Sequence, residues 1–308
     1  MKLSSLLGAG LLVGSITLGA QVASGQQWNE QIPGNAGEWS VQMLRPSGQP
    51  VVPIFDGWYA EPDGTASLCL GYFNLNFDEA LEIPIGPNNY IEPERYNGLQ
   101  PTYFNPVPLR AANKQRHYCV FTINVPQGSE EPIVWHLRRD YKDYSVPASS
   151  ALIEYRVDDI FFSSDRADRG GSMAPFVTFV DPAGPTGIGK GARGGKRVGP
   201  ITAKVGQPVS LTLGVRQPRV DEFEELADYQ GGERTFEVTW QKYTGPPDIL
   251  GIVKFSENYI RVTVEGTATT EATFTEPGEY VLLAQVLGGG YDNQCCWTNA
   301  YVEVVVTP

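Results

Sequence analysis

Apolar positions along this 308-residue chain come in short runs, not in long periodic stretches. Runs rich in Val, Ile, Thr, Tyr and Phe are broken by Pro and Gly turns at intervals of roughly ten residues, which predicts strands throughout. No segment sustains a helical period. In the first half, Ile54–Tyr59 and Thr65–Asn74 flank Glu61-Pro62-Asp63-Gly64, where Pro presets φ and Gly accepts a positive φ; this predicts a hairpin. His117–Val125 and Ile133–Arg138 form a second pair, followed across Asp140 to Asp143 by Tyr144–Val146. Between the pairs, Ile83–Val107 is rich in Pro and Asn and reads as an extended loop. The second half ends in a strand at Ala272–Phe274, a turn at Thr275-Glu276-Pro277-Gly278, a strand at Glu279–Leu287, a loop with adjacent cysteines and a last strand at Ala300–Val306. The expected fold is all-β, two sandwiches in tandem.

Composition adds a compartment. Lys2, an apolar run from Leu6 to Leu18 and small residues ending at Ala23-Ser24-Gly25 make the three-part pattern of a secretory signal peptide over residues 1–25. The run is too short to span a bilayer, so a soluble, exported mature chain beginning near Gln26 is expected, periplasmic or released. The last strand ends close to Pro308, so no trailing anchor or catalytic domain is expected. The signal carries one of the 23 Lys and Arg against 35 Asp and Glu. A surface this acidic repels nucleic acid and anionic membranes, which argues against both as partners. The length fits two domains, placed at 26–170 and 171–308, the second carrying a Gly-rich insertion at 181–200.

Two resemblances refine this outline. Phe55-Asp56-Gly57-Trp58, Gly71-Tyr72-Phe73-Asn74, Ile83-Pro84-Ile85-Gly86-Pro87-Asn88-Asn89, Gln100-Pro101-Thr102 and Val134-Trp135 resemble a family of uncharacterised exported bacterial proteins; the likeness brings no activity with it. Phe176–Val180, Val209–Val215, Val238-Thr239-Trp240-Gln241-Lys242 and Ala272–Leu282 resemble a PKD-type or related immunoglobulin-like domain. That resemblance implies a Trp filling the core from a central strand and a Tyr packing after the Pro-Gly corner.

The candidate chemistry is sparse. Four cysteines in an oxidising compartment allow three pairings. Cys69 and Cys119 both lie in strands of the first domain, so a bridge between them leaves Cys295 and Cys296 to each other; bridges between domains and free thiols remain alternatives. A bond between neighbours stiffens a turn, and it also opens redox or metal chemistry. Its loop, Gly288–Asn299, offers Tyr291, Asp292, Asn293, Trp297 and Asn299 as ligand contacts, with Tyr291 and Trp297 able to stack on a sugar or partner. The alternative is that Trp297 folds back onto the core. No metal site is assigned, because only Asp292 and Asn293 lie near the cysteine pair.

Gly184, Gly189 and Lys190 satisfy a phosphate-loop spacing, but Gly191 follows where Ser or Thr is needed and no helix can start. Lys190, Arg193, Lys196 and Arg197 then form a basic island in what reads as a mobile solvated loop. Asp221, Glu222, Glu224, Glu225 and Asp228 interleave with apolar residues as a short solvated helix and lack the alternating ligands of a calcium loop. His117 and His136 fall in strands and show neither triad nor zinc spacing. Asp56, Asp63, Asp78, Glu79 and Glu82 supply many carboxylate pairs, none of which stands out.

The expected protein is therefore an exported, non-enzymatic sandwich protein without cofactor, binding a glycan or envelope protein through sandwich-end loops. A polysaccharide hydrolase using first-domain carboxylates is the alternative, and an envelope redox or copper-handling protein using Cys295 and Cys296 the third.

Overall fold

Strand after strand follows from side-chain alternation. In Val209–Arg216 the inward positions are Leu211, Leu213 and Val215, and in Glu265–Phe274 they are Ala268, Thr270, Ala272 and Phe274. The computed structural model describes residues 47–76, 79–106, 116–139, 142–157, 162–163, 172–173, 175–188, 191–217, 235–247, 251–288 and 297–308. No α-helix occurs among the described residues.

The N-terminal sandwich comprises β1 (Val51–Ala60), β2 (Thr65–Asn74), β3 (Leu81–Glu82), β4 (Asn89–Glu92), β5 (Tyr103–Phe104), β6 (Arg116–Pro126), β7 (Ile133–Arg139) and β8 (Lys142–Ala148). Strands β1-β2-β6 form one antiparallel sheet, β4-β7-β8 another, and β3-β5 a short third. Trp58, Leu68, Leu70, Tyr72, Ile91, Phe104, Ile123 and Trp135 fill the space between them. Sequence reading missed β4, because its Pro- and Asn-rich surroundings look like loop. The strand is held by one buried amide: Asn89 Nδ2 donates to Ile83 O and Pro101 O, both at 2.8 Å, and Asn89 Oδ1 accepts Trp135 Nε1 at 3.0 Å.

A small pair, β9 (Phe162–Ser163) and β10 (Ser172–Met173), precedes the C-terminal sandwich. That sandwich comprises β11 (Phe176–Asp181), β12 (Thr186–Ile188), β13 (Gly191–Lys204), β14 (Val209–Arg216), β15 (Thr235–Thr244), β16 (Val253–Phe255), β17 (Tyr259–Thr263), β18 (Glu265–Phe274), β19 (Gly278–Gly288) and β20 (Trp297–Thr307). Its sheets run β12-β11-β14-β18-β16 and β13-β20-β19-β15-β17, with β13 parallel to β20 and the other pairs antiparallel. This is immunoglobulin-like strand order. Trp240 of β15 lies in the core, and Tyr280, just past the corner, donates its hydroxyl to Glu276 O at 2.8 Å. Gly278 has φ +154°, and a Cβ there would meet the Pro246 ring at 2.5 Å, so the corner closes only around glycine.

The stretch expected as a mobile basic loop is corrected. Residues 191–204 are a strand, because Lys196, Arg197 and Val198, then Ile201 to Lys204, pair with β20. Arg197 bonds Glu303 at 3.0 Å and lies 4.9 Å from the Tyr301 ring centre. Gly191 opens that strand where a phosphate loop would open a helix; Gly189, Lys190 and the acidic residues 221–228 lie outside the described residues.

The central strands β20, β19 and β15 of the second sheet are buried on both faces. Ala300, Val302, Leu282, Ala284 and Trp240 point into the C-terminal core, while Tyr301, Leu283 and Tyr243 join the N-terminal core. Polar bonds cross the same boundary: Tyr243 Oη to Leu99 O at 2.6 Å, Tyr301 Oη to Val120 O at 2.9 Å and Asn105 Nδ2 to Gln241 Oε1 at 2.7 Å. Lys242 and Glu82 meet at 2.9 Å with their side chains 1% and 7% exposed, and Lys242 Nζ also bonds Pro246 O. Leu44–Pro308 is accordingly one compact unit.

Candidate functional site

The loop favoured by sequence does not present its described residues to solvent. Trp297 is 5% exposed and packs with Tyr59 against the Cys69–Cys119 disulfide, whose pairing matches expectation. Asn299 is fully buried; its Nδ2 donates to Tyr301 Oη at 3.2 Å, and that hydroxyl donates to Val120 O. Alternation along β20 points Trp297, Asn299 and Tyr301 to one side, and the N-terminal sandwich covers that side. For Trp297 the alternative of folding back onto the core is what the structure shows, and Asn299, expected as a ligand contact, is buried beside it, so neither has an open face. Tyr291, Asp292, Asn293, Cys295 and Cys296 lie outside the described residues.

Among the described residues, the carboxylates expected for hydrolysis are each engaged by neighbours. Asp56 Oδ2 accepts Cys119 N at 2.7 Å where Gly71 lets the backbones approach; a Cβ there would run into His117 O and Asp56. Asp63 accepts Thr65 N and Oγ1 in the hairpin turn. Glu79 bonds Arg139 at 2.8 Å and Gly48 N at 2.6 Å; burial pushes its carboxyl up, and these two donors outweigh it to hold the group below its usual value. Glu82 is committed to Lys242, and Asp78 lies outside the described residues. His117 is buried against Tyr72, ring centres 4.4 Å apart, with Nε2 3.0 Å from Asn105 O. Burial lowers its pKa to about 4, against the opposing pull of that carbonyl. Among the described residues, no group of three or more His, Cys, Asp and Glu is placed to hold a metal ion.

An open face does exist, on the outer side of β4-β7-β8. Strand register places Glu92, Val134 and Pro147 in one row, Tyr90, His136 and Ser145 in the next, and Arg138 beside Asp143 in the third. Tyr90 and His136 stack with ring centres 4.4 Å apart and planes 7° from parallel. Glu92 Oε2 is 3.5 Å from His136 Nε2, an ion-pair distance and not a hydrogen bond. Arg138 reaches Asp143 through Nε and Nη2, at 3.2 and 2.5 Å to the same oxygen. Beyond Arg138 the face runs into a cleft of about 250 Å³ lined by Leu81, Glu82, Ile83, Pro84, Asn88, Arg138 and Arg139. Sequence reading had His136 on a strand surface and missed Tyr90, Arg138 and Arg139. The signal was the alternation Asn89-Tyr90-Ile91-Glu92, obscured by its loop-like neighbours.

No protein-family model matches the chain, and no curated protein does. Among solved structures, the D0-D1 domain of intimin aligns with 83% of this chain and 97% of its own at 12% identity and TM-score 0.24. The Yersinia pseudotuberculosis adhesin InvE aligns with 83% and 58% at 11% identity and TM-score 0.23, and the periplasmic chaperone SfaE with 37% and 56% at 12% and 0.23. Scores this low carry no function across, and the tandem-sandwich assignment rests on the strand order and the two cores.

Proposed function

We propose that this chain is an exported, non-enzymatic binding protein that engages an extracellular glycan through the outer face of β4-β7-β8. The observation that carries this reading is the Tyr90–His136 stack, a partly exposed aromatic pair on the outer sheet face flanked by the exposed Glu92, Ser145 and Arg138–Asp143 pair. A sugar ring offers a C–H face to stack on an aromatic plane and hydroxyls that both donate and accept. A paired guanidinium and carboxylate serve both kinds of hydroxyl contact. The face of the C-terminal sandwich that carries Tyr243, Leu283 and Tyr301 is spent on internal packing, which concentrates the reading on the N-terminal sheet. Export is supported by the signal-like pattern of residues 1–25 and by the Cys69–Cys119 bridge, a bond of oxidising compartments. Binding is favoured over hydrolysis because Asp56, Asp63, Glu79 and Glu82 each hold a structural contact.

The test is retention of the mature chain on a panel of immobilised polysaccharides, with Tyr90→Ala as the variant. Retention on at least one glycan, reduced ten-fold or more by Tyr90→Ala at unchanged melting temperature, supports the proposal. Failure to bind any glycan, or retention indifferent to Tyr90→Ala, overturns it.

A further inference from the structure

We infer that the cleft beside the aromatic plate selects a carboxylated sugar, so that the glycan taken by this face is a polyuronate or carries uronate units. The inference rests on the glycan reading above and adds the charge of the ligand. Three charged side chains line the cleft, and they are not equivalent. Glu82, the acid, is turned into the boundary between the sandwiches, 7% exposed and held by Lys242 at 2.9 Å. Arg138, in contrast, is 48% exposed, and its bond to Asp143 uses Nε and Nη2. The planar guanidinium has five N–H donors, so Nη1 carries two beyond that pair. Arg139 stands next to it with its guanidinium between Glu79 and Gln49 O, which fixes its orientation. Asn88 adds an exposed amide on the same rim, and its carbonyl is tied to Arg138 N at 2.8 Å. The lining thus offers the donors of Arg138 and the amide of Asn88 outward and turns its one carboxylate inward, over a floor of Leu81 and Ile83.

Such a cleft suits a ligand group that only accepts. A carboxylate fits guanidinium geometry, and charge-assisted bonds of this kind are about twice as strong as neutral ones. Both arginines are already paired, Arg138 with Asp143 and Arg139 with Glu79, so the pull on an anion comes from the donors of Arg138 Nη1 that the Asp143 bond leaves unused and not from net positive charge. The volume, about 250 Å³, lies below the ~300–1,000 Å³ of drug-sized pockets and suits a single sugar unit. The neighbouring unit of the same polymer then lies towards Tyr90 and His136, along the sheet face.

The experiment measures binding of the mature chain to polygalacturonate, to its fully methyl-esterified counterpart and to neutral polysaccharides. Expected results are a loss of ten-fold or more on esterification, a comparable loss in Arg138→Gln, partial recovery in Arg138→Lys, and weakening as salt rises from 0.05 to 0.5 M. Melting temperature and Tyr90-dependent binding check that Arg138→Gln is folded. Equal binding of the esterified or neutral polymers, with Arg138→Gln silent, overturns the inference while the glycan reading stands. Absence of binding to every polysaccharide overturns both.

Discussion

The two sandwiches are built from different materials. The C-terminal core is mostly apolar or aromatic, two sheets whose inward positions interdigitate, Leu211, Leu213, Phe236, Trp240, Leu282 and Val302 among others, with Thr270 a buried polar exception. The N-terminal sandwich has a comparable aromatic core and, around it, a set of buried amides, Asn74, Asn76, Asn89 and Gln100. These do the work of missing ladder bonds. Asn74 Nδ2 donates to Glu79 O and Phe104 O, Asn76 bonds Gln49, and Gln100 Nε2 bonds Asn97 Oδ1 at 2.8 Å. Side-chain bonds to carbonyls occur in both halves, through hydroxyls such as Thr270 and Thr298 in the C-terminal one, but it is in the N-terminal half that buried amides join the loops that carry its short strands. A buried amide that loses its partners costs more than its net bond energy, so the N-terminal half is expected to be the less forgiving of polar substitutions.

The largest expected effect tests that contrast directly. Asn89→Ala strands Ile83 O, Pro101 O and Trp135 Nε1, three buried groups at roughly 1–3 kcal/mol each, so a destabilisation of about 5 kcal/mol is expected by urea unfolding. An effect under 1 kcal/mol would remove the amide scaffold from the explanation. Next comes the ion pair at the boundary. Lys242→Met removes the buried cation facing the Glu82 carboxylate and should cost about 4 kcal/mol, while adding Glu82→Gln should return most of it. If the double variant is no better than the single, the pair is not what makes Lys242 matter.

That contrast also explains what was legible in the sequence. Strands of the C-terminal half were readable because burial there follows the two-residue period, and Trp240 and Tyr280 stand where an immunoglobulin-like resemblance places them. The hairpin at Glu61–Gly64 and the Cys69–Cys119 bridge were readable from turn chemistry and from two cysteines in facing strands. Strand β4 was not, since its residues are held by an amide reaching carbonyls 6 and 12 positions away. Nor was β13, whose Gly, Lys and Arg have poor strand propensity and adopt the strand through pairing with β20. The candidate site followed the same rule. Trp297 and Asn299 stood as contact candidates, with burial of Trp297 as the alternative, because nothing in the local sequence marks the other sandwich that buries these two side chains.

A third difference between the halves is their response to acid. His117 lies only in the N-terminal half, and its pKa falls from 6.5 to about 4 because it is buried. The unfolded chain therefore takes up the proton first as pH falls. Stability is unaffected by this group above about 6.5, declines between there and about 4, and is lower by about 3 kcal/mol once both states are protonated. Chemical denaturation at pH 7.5 and pH 4.5 measures the decline, and His117→Gln should flatten the part it contributes. A slope unchanged by that substitution would assign acid sensitivity elsewhere.

The smallest effect probes the C-terminal half at one of its own side-chain bonds. Tyr280 Oη donates to Glu276 O at 2.8 Å, and the ring is buried against Phe274 with centres 4.8 Å apart. Tyr280→Phe keeps the packing and removes the bond, so a loss of about 1 kcal/mol is expected, against about 4 kcal/mol for Tyr280→Ala, which also opens a cavity. The ratio matters more than either value. If Phe costs nearly as much as Ala, the corner is held by its hydroxyl, and the C-terminal half depends on side-chain bonds to loop carbonyls as the N-terminal half does. If Phe costs little, packing around Gly278 and Pro246 closes the corner, and the two halves differ in kind.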